Sequence, residues 1–190
     1  MDITIEVKVT EESGYESALS GLALNKKQTK EMKQVADKLA KMDGGHNKFL
    51  ESIIVWLEIK APRYWWAEAD TYRLTSKQSE STMHTLLREL ERDNGDGERF
   101  QKYFESTCSW RTVENYINLW REHGKFMEMP DKLIFMKANL PEAFLQKRMW
   151  RLDYKTLRNI IQQRKNHRLP HWEIFISEVL KQVEYPEFLK

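Results

Sequence analysis

The first nine residues alternate. Ile3, Ile5, Val7 and Val9 fall on one side and Asp2, Thr4, Glu6 and Lys8 on the other, which predicts a half-exposed strand over residues 2–9. From Tyr15 to Leu24 the period lengthens: Ala18, Leu19 and Leu22 return at three and four, so a helix is expected, with Asn25 as its stop. A second helix is expected from Gln28 to Met42, with Met32, Val35, Ala36 and Leu39 on its apolar face and Asp43-Gly44-Gly45 closing it. Ile53, Ile54, Val55, Trp56, Leu57 and Ile59 form a β-branched and aromatic run that predicts a strand buried on at least one face. Ala61-Pro62 should start a helix that ends in Thr71-Tyr72-Arg73, because a proline at the first helical position gives up only an N–H that would be unpaired anyway. The run from Thr75 to Ser81 is polar throughout and predicts a loop of the kind that holds ligands.

Beyond His84 the period is helical through Leu86, Leu87 and Leu90, until Asn94-Gly95-Asp96-Gly97 breaks it. Residues 91–110 are expected to be a surface insertion. Helices are expected over 111–123 and 131–138, then a strand from Ala143 to Leu152 with Phe144, Met149 and Trp150 as its apolar content. Asp153 can cap a helix from Tyr154 to Arg164 that turns Leu157, Ile160 and Ile161 inward, and a last helix begins at Pro170. This order predicts an α+β fold: one domain over 1–190, with a central sheet and flanking helices.

Composition narrows the picture. A chain of 190 residues can bury a core without staples, and the single Cys108 excludes an internal disulfide. No apolar run reaches membrane-spanning length and no signal-like start is present, so a cytoplasmic protein is expected, without a membrane partner. With 31 basic and 29 acidic residues, a clustered basic face for nucleic acid is not expected. Seven tryptophans suit either core packing or stacking on a flavin or a base. Cys108 has no base near it in sequence, so a structural thiol is expected rather than a nucleophile. His167 and His171 have metal-like spacing, but Pro170 lies between them and no acidic or cysteine partner is in register, so no metal is expected.

From Gly45 to His84 the residues resemble the flavin-dependent thymidylate synthase family. That family has a His-x4-Glu before a strand ending in Lys-Ala-Pro, then a helix ending Arg-His-Arg, then a Ser/Asn/Glu-rich loop. Here these are His46 and Glu51, Lys60-Ala61-Pro62, Thr71-Tyr72-Arg73, and the loop with Ser76 and Ser81. The resemblance returns at Lys137-Ala138-Asn139-Leu140-Pro141, at Trp150 to Thr156, at Asn159 and Arg164, and at His171-Trp172-Glu173-Ile174.

The resemblance implies FAD as cofactor, with 5,10-methylenetetrahydrofolate and NADPH as cosubstrates. It implies one-carbon transfer to C5 of a deoxyuridylate-type pyrimidine nucleotide, in a homotetramer whose sites are shared between chains. Carried over position by position, Arg164 and Ser81 take catalytic places. His46, Thr71, Tyr72, Arg73, Asp153, Lys155 and Asn159 take cofactor places. Glu68, Gln78, Ser79, Glu80, Met83 and Lys137 join Ser81 and Arg164 at the substrate. The plain alternatives stay open: a helix C-terminal arginine for Arg164, solvated loop residues for Gln78, Ser79 and Ser81, and an exposed helix lysine for Lys137. Family arginines stand replaced by Thr71, Met83 and Lys137, a glutamine by Glu68 and an asparagine by Asp153. The implied pocket is therefore less positive, and Arg63 or Arg88 are the expected sources of compensating charge. The departures leave open a pyrimidine hydroxymethylase on the same scaffold, or a non-catalytic flavin-, nucleotide- or protein-binding relative.

Overall fold

A computed structural model describes residues 3–24, 32–42, 44–92 and 96–190, apart from the side chains of Met83 and His84. The expected helix stop at Asn25, the helix start at Gln28, and Asp43, Asn94 and Gly95 lie outside the described residues. In chain order the elements are β1 (Glu6–Ser13), α1 (Tyr15–Ala23), α2 (Met32–Ala40), a 3-10 turn (Lys48–Ser52), β2 (Ile54–Pro62), α3 (Arg63–Ala69), β3 (Ser76–Ser79) and α4 (Thr82–Arg92). Then follow α5 (Gly97–Phe100), α6 (Trp110–Glu122), α7 (Asp131–Ala138), β4 (Leu145–Asp153), α8 (Tyr154–Arg164) and α9 (His171–Gln182). The strands form one antiparallel sheet in the order β1-β2-β4-β3, so the fold is α+β as expected.

Several expectations shift. The first strand runs from Glu6 to Ser13 rather than over 2–9: inward positions continue past Val9, and Glu12 takes one of them, accepting a hydrogen bond from the Tyr154 hydroxyl. Pro62 is the last residue of β2 and the N-cap of α3, one place earlier than expected, with an extended ψ of 153°. That helix ends at Ala69, not at Thr71-Tyr72-Arg73, because Thr71 turns back and donates from its hydroxyl (2.7 Å) and its N–H (3.2 Å) to the carbonyl of Glu68. Leu74 then takes a left-handed φ of 61°. The expected loop contains a strand, β3, at the edge of the sheet. An edge strand with exposed side chains needs no apolar alternation, and so leaves no signature in the sequence.

By contact the chain forms two compact units. The first holds residues up to Ile5, Lys60–Thr71 and Ser79–Lys147. Its core is a cluster that includes Leu86, Leu90, Phe100, Phe104, Tyr116 and Trp120. Residues 91–110, expected as a surface insertion, thus contribute Phe100 (0% exposed) and Phe104 (3%) to this core. Asp96 caps α5 through its carboxylate, which accepts from the backbone N–H of Glu98 and Arg99.

The second unit holds Glu6–Ile59, Tyr72–Gln78 and Arg148–Lys190. Val55, Leu57 and Ile59 of β2 are wholly buried in alternation, as are Trp150, Leu157, Ile160 and Trp172. Edge strand β1 is closed by one side chain. Gln182 of α9 accepts from Val9 N–H (3.0 Å) and donates to the Val7 carbonyl (2.9 Å), occupying backbone groups that another chain could otherwise pair with. Among the described residues no helix is long and apolar enough to cross a membrane.

Candidate functional site

Helix α8 organises the second unit. Asp153 ends β4 and caps α8 as expected, its carboxylate accepting from the Thr156 N–H (2.8 Å) and hydroxyl (3.1 Å). The Tyr154 N–H donates to the Ile53 carbonyl (2.9 Å), which fixes where the helix starts. From that anchor the apolar residues Leu157, Ile160 and Ile161 turn inward, and positions 155, 158, 159 and 162 share the adjacent face.

That face lines a cavity of about 790 Å³, bounded also by Asn47 and Glu51, by Leu74, Thr75 and Ser76, and by Arg151 and Asp153. Of the residues carried over by resemblance, Asp153, Lys155 and Asn159 line it. Lys155 is paired with Glu51, so the match that placed both also describes an ion pair. Pattern reasoning missed Asn47, Arg151, Arg158 and Gln162. The three-and-four spacing from Lys155 to Gln162 carries a signal for the last two, but which helix face meets a cavity is not written in the spacing. Arg158 is 8% exposed, and with the Gln162 amide turned so that its oxygen faces the guanidinium, Nη1 and Nη2 donate to that oxygen at 2.9 and 2.8 Å.

Arg164, at the other end of α8, is held by aromatic residues. Its Nε–H donates to the Tyr72 hydroxyl (2.7 Å), and its guanidinium carbon lies 4.6 Å from the Trp172 ring centroid and 5.5 Å from that of Tyr72. Nη1 lies 2.7 Å from Nε2 of His167. Tyr72 and Trp172 meet edge to face at 6.1 Å and close the array. Such packing fixes a guanidinium's direction.

The remaining expected residues of this unit lie elsewhere. His46 is exposed and lines a second cavity of about 570 Å³ together with Leu22, Lys48 and Phe49; Glu51 lines both cavities. Arg73 is exposed, and so is Gln78 on β3.

In the first unit, Glu68 is half-buried in the last turn of α3, and Thr71 closes that helix. Ser79 is exposed at the end of β3. Glu80 continues the ladder, its N–H donating to the Lys147 carbonyl (2.9 Å). Ser81 starts α4, its carbonyl accepting from the Thr85 N–H and hydroxyl. Met83 lies on α4, and Lys137 is exposed in the last turn of α7. Arg63 and Arg88, the expected sources of charge, are engaged otherwise: Arg63 donates to the Leu140 carbonyl and pairs with Glu142, and Arg88 pairs with Glu89. Burial, then the nearby Glu105 carboxylate, pushes the Cys108 thiol up, away from the thiolate form a nucleophile needs.

The profile of the family described as thymidylate synthase complementing protein matches residues 4–183. No curated protein matches the chain significantly in sequence. Among solved structures it is similar to Thymidylate Synthase X (ThyX) from Helicobacter pylori with FAD and dUMP, at 17% identity and a TM-score of 0.80, over 98% of this chain and 97% of that one. A second structure, the flavin dependent thymidylate synthase ThyX from Helicobacter pylori complexed with FAD and dUMP, matches at 17% identity and a TM-score of 0.81, over 97% and 98%. At that identity the likeness establishes the fold, and the profile, which spans nearly the whole chain, establishes the lineage: this chain belongs to the thymidylate synthase complementing protein family.

Proposed function

We propose that this chain is a flavin-dependent thymidylate synthase-like enzyme, acting as one domain over 1–190 in a cytoplasmic homotetramer. The observation that carries the reading is the cavity on α8, where three family positions, Asp153, Lys155 and Asn159, meet around a space of about 790 Å³. Such a volume suits a flavin-sized ligand. The residues present fit FAD: Lys155 and Asn159 offer donors from one helix face, and buried Arg158 brings a cation with only an amide for a partner. The family's solved relatives from Helicobacter pylori are described with FAD and dUMP, which supports the same pair here.

Reduced FAD, when bound, supplies the hydride for one-carbon transfer from 5,10-methylenetetrahydrofolate, with NADPH as the source of electrons. The chain's own part is to bind and orient. Arg164, held by Tyr72 and Trp172, would stabilise the negative charge that develops on the pyrimidine as its N3–H is lost. Ser81, Gln78 and Ser79 would hold the nucleotide through hydroxyl and amide groups, with Lys137 as a phosphate partner. No thiol is required, in keeping with the raised Cys108.

The test is direct. Purified protein titrated with FAD should show the flavin absorption band and saturable binding by calorimetry. With dUMP, methylenetetrahydrofolate and NADPH it should then form a product whose mass identifies a methyl rather than a hydroxymethyl group. Absence of FAD binding at high micromolar concentration would overturn the reading, and light scattering that reports a flavin-binding monomer would overturn the tetramer.

A further inference from the structure

We propose that Arg158 is the counter-charge for a phosphate or pyrophosphate group bound in the α8 cavity. It would offset the positive charge lost where Thr71 and Met83 stand in place of family arginines. The proposal rests on reading this cavity as the cofactor pocket.

Arg158 is 8% exposed, yet among the described residues it makes no ion pair. Nη1 and Nη2 reach a neutral amide, Gln162, and Nε is buried without a hydrogen-bond partner. The cavity's carboxylates are engaged by other groups: Glu51 by Lys155, and Asp153 by the first turn of α8. Arg151 lines the same space and likewise makes no ion pair among the described residues.

A buried cation without an opposite charge destabilises the empty protein, and an unmatched N–H adds to that cost. Both costs are relieved when a ligand brings the negative charge. A guanidinium fork matches phosphate oxygens in geometry, which a lysine does not. The chemistry selected is therefore a compact phosphoanion, supplied either by the pyrophosphate of a dinucleotide or by free pyrophosphate.

Inorganic pyrophosphate, FAD and riboflavin, titrated separately into the purified protein by calorimetry and by thermal shift, distinguish the cases. Pyrophosphate should bind the wild type, raise its melting temperature and compete with FAD. Arg158→Gln should weaken pyrophosphate and FAD by at least tenfold and leave riboflavin unchanged. Arg158→Met, which keeps the stem and removes the charge, should melt no lower than wild type without ligand. Should the glutamine variant fold poorly, Arg158→Lys should fold and bind pyrophosphate several-fold more weakly than wild type.

If pyrophosphate fails to bind the wild type at millimolar concentration, the proposal is wrong. The same holds if Arg158→Gln binds it unchanged while melting lower, since Arg158 is then structural. If pyrophosphate binds through Arg158 but FAD does not bind, the anion site stands and the flavin reading falls.

Discussion

The two units of this protein treat buried charge in opposite ways. In the first, Glu89 accepts from the Tyr103 hydroxyl and pairs with Arg92 and Arg88, and Glu105, 2% exposed, accepts from the Tyr64 hydroxyl. Each carboxylate is answered inside the fold. The effect shows in their chemistry: the Tyr103 hydrogen bond, followed by Arg92 and Arg88, holds Glu89 below the ordinary glutamate value of 4.5. In the second unit, Arg158 is nearly as buried and has only an amide, while Arg164 is fixed by a hydroxyl, an imidazole and two rings. A buried charge answered by an opposite charge stabilises the fold, whereas a buried guanidinium answered only by an amide, as Arg158 is, suits an anionic ligand.

The largest expected effect tests the oriented charge. Arg164→Ala should lower turnover on the order of a hundredfold or more, as loss of a well-placed electrostatic stabiliser does, with little change in melting temperature. Steady-state kinetics beside a thermal melt checks both halves, and a variant retaining most of its activity would erase the contrast between the units.

The next effect is on stability, in the other unit. Tyr64→Phe leaves Glu105 buried without that donor and should cost about 2 kcal/mol, the worth of a hydrogen bond to a charged group, measured by urea unfolding. Asp153→Ala should cost about 1 kcal/mol by uncapping α8, and should weaken FAD binding only through the helix start it loosens. The smallest effect is on pH dependence. Because the folded-state pKa of Glu89 is lowered, its contribution is full above pH 4.5 and is lost as pH falls through the folded value. Tyr103→Phe removes the main cause, so its stability should fall less steeply than wild type below pH 4.5, by about 1 kcal/mol or less. In the wild type the Tyr103 phenol is pushed up to about 12, first by burial and then by its bond to Glu89, and so stays a donor throughout.

Much of the fold was legible because its signals are local. The helices over Trp110–Glu122 and Tyr154–Arg164 bury one periodic face each, and burial is what makes the period visible. Asp153 was readable as a cap because a cap needs only its own side chain and the next turn. The edge strand β3 was not, because its four residues, Ser76 to Ser79, have largely exposed side chains. Phe100 and Phe104 looked like part of an insertion, since their partners, among them Tyr116 and Phe144, are remote in sequence.

What the sequence determined by itself was therefore most of the longer helices, the buried strand β2, and the ordered residues that carry the family resemblance: His46, Lys60-Ala61-Pro62, Lys155, Asn159 and Arg164. Tertiary structure alone decided which of these meet. It set Tyr72 against Arg164 across 92 positions of chain, and Glu51 against Lys155 across 104. It turned the 155–162 face of α8 toward a cavity, and it buried Arg158 without an ion pair among the described residues. The physical reason is range. Helix period and capping are settled within a turn or two of chain, whereas the environment of a charge is set by whatever distant segments pack around it.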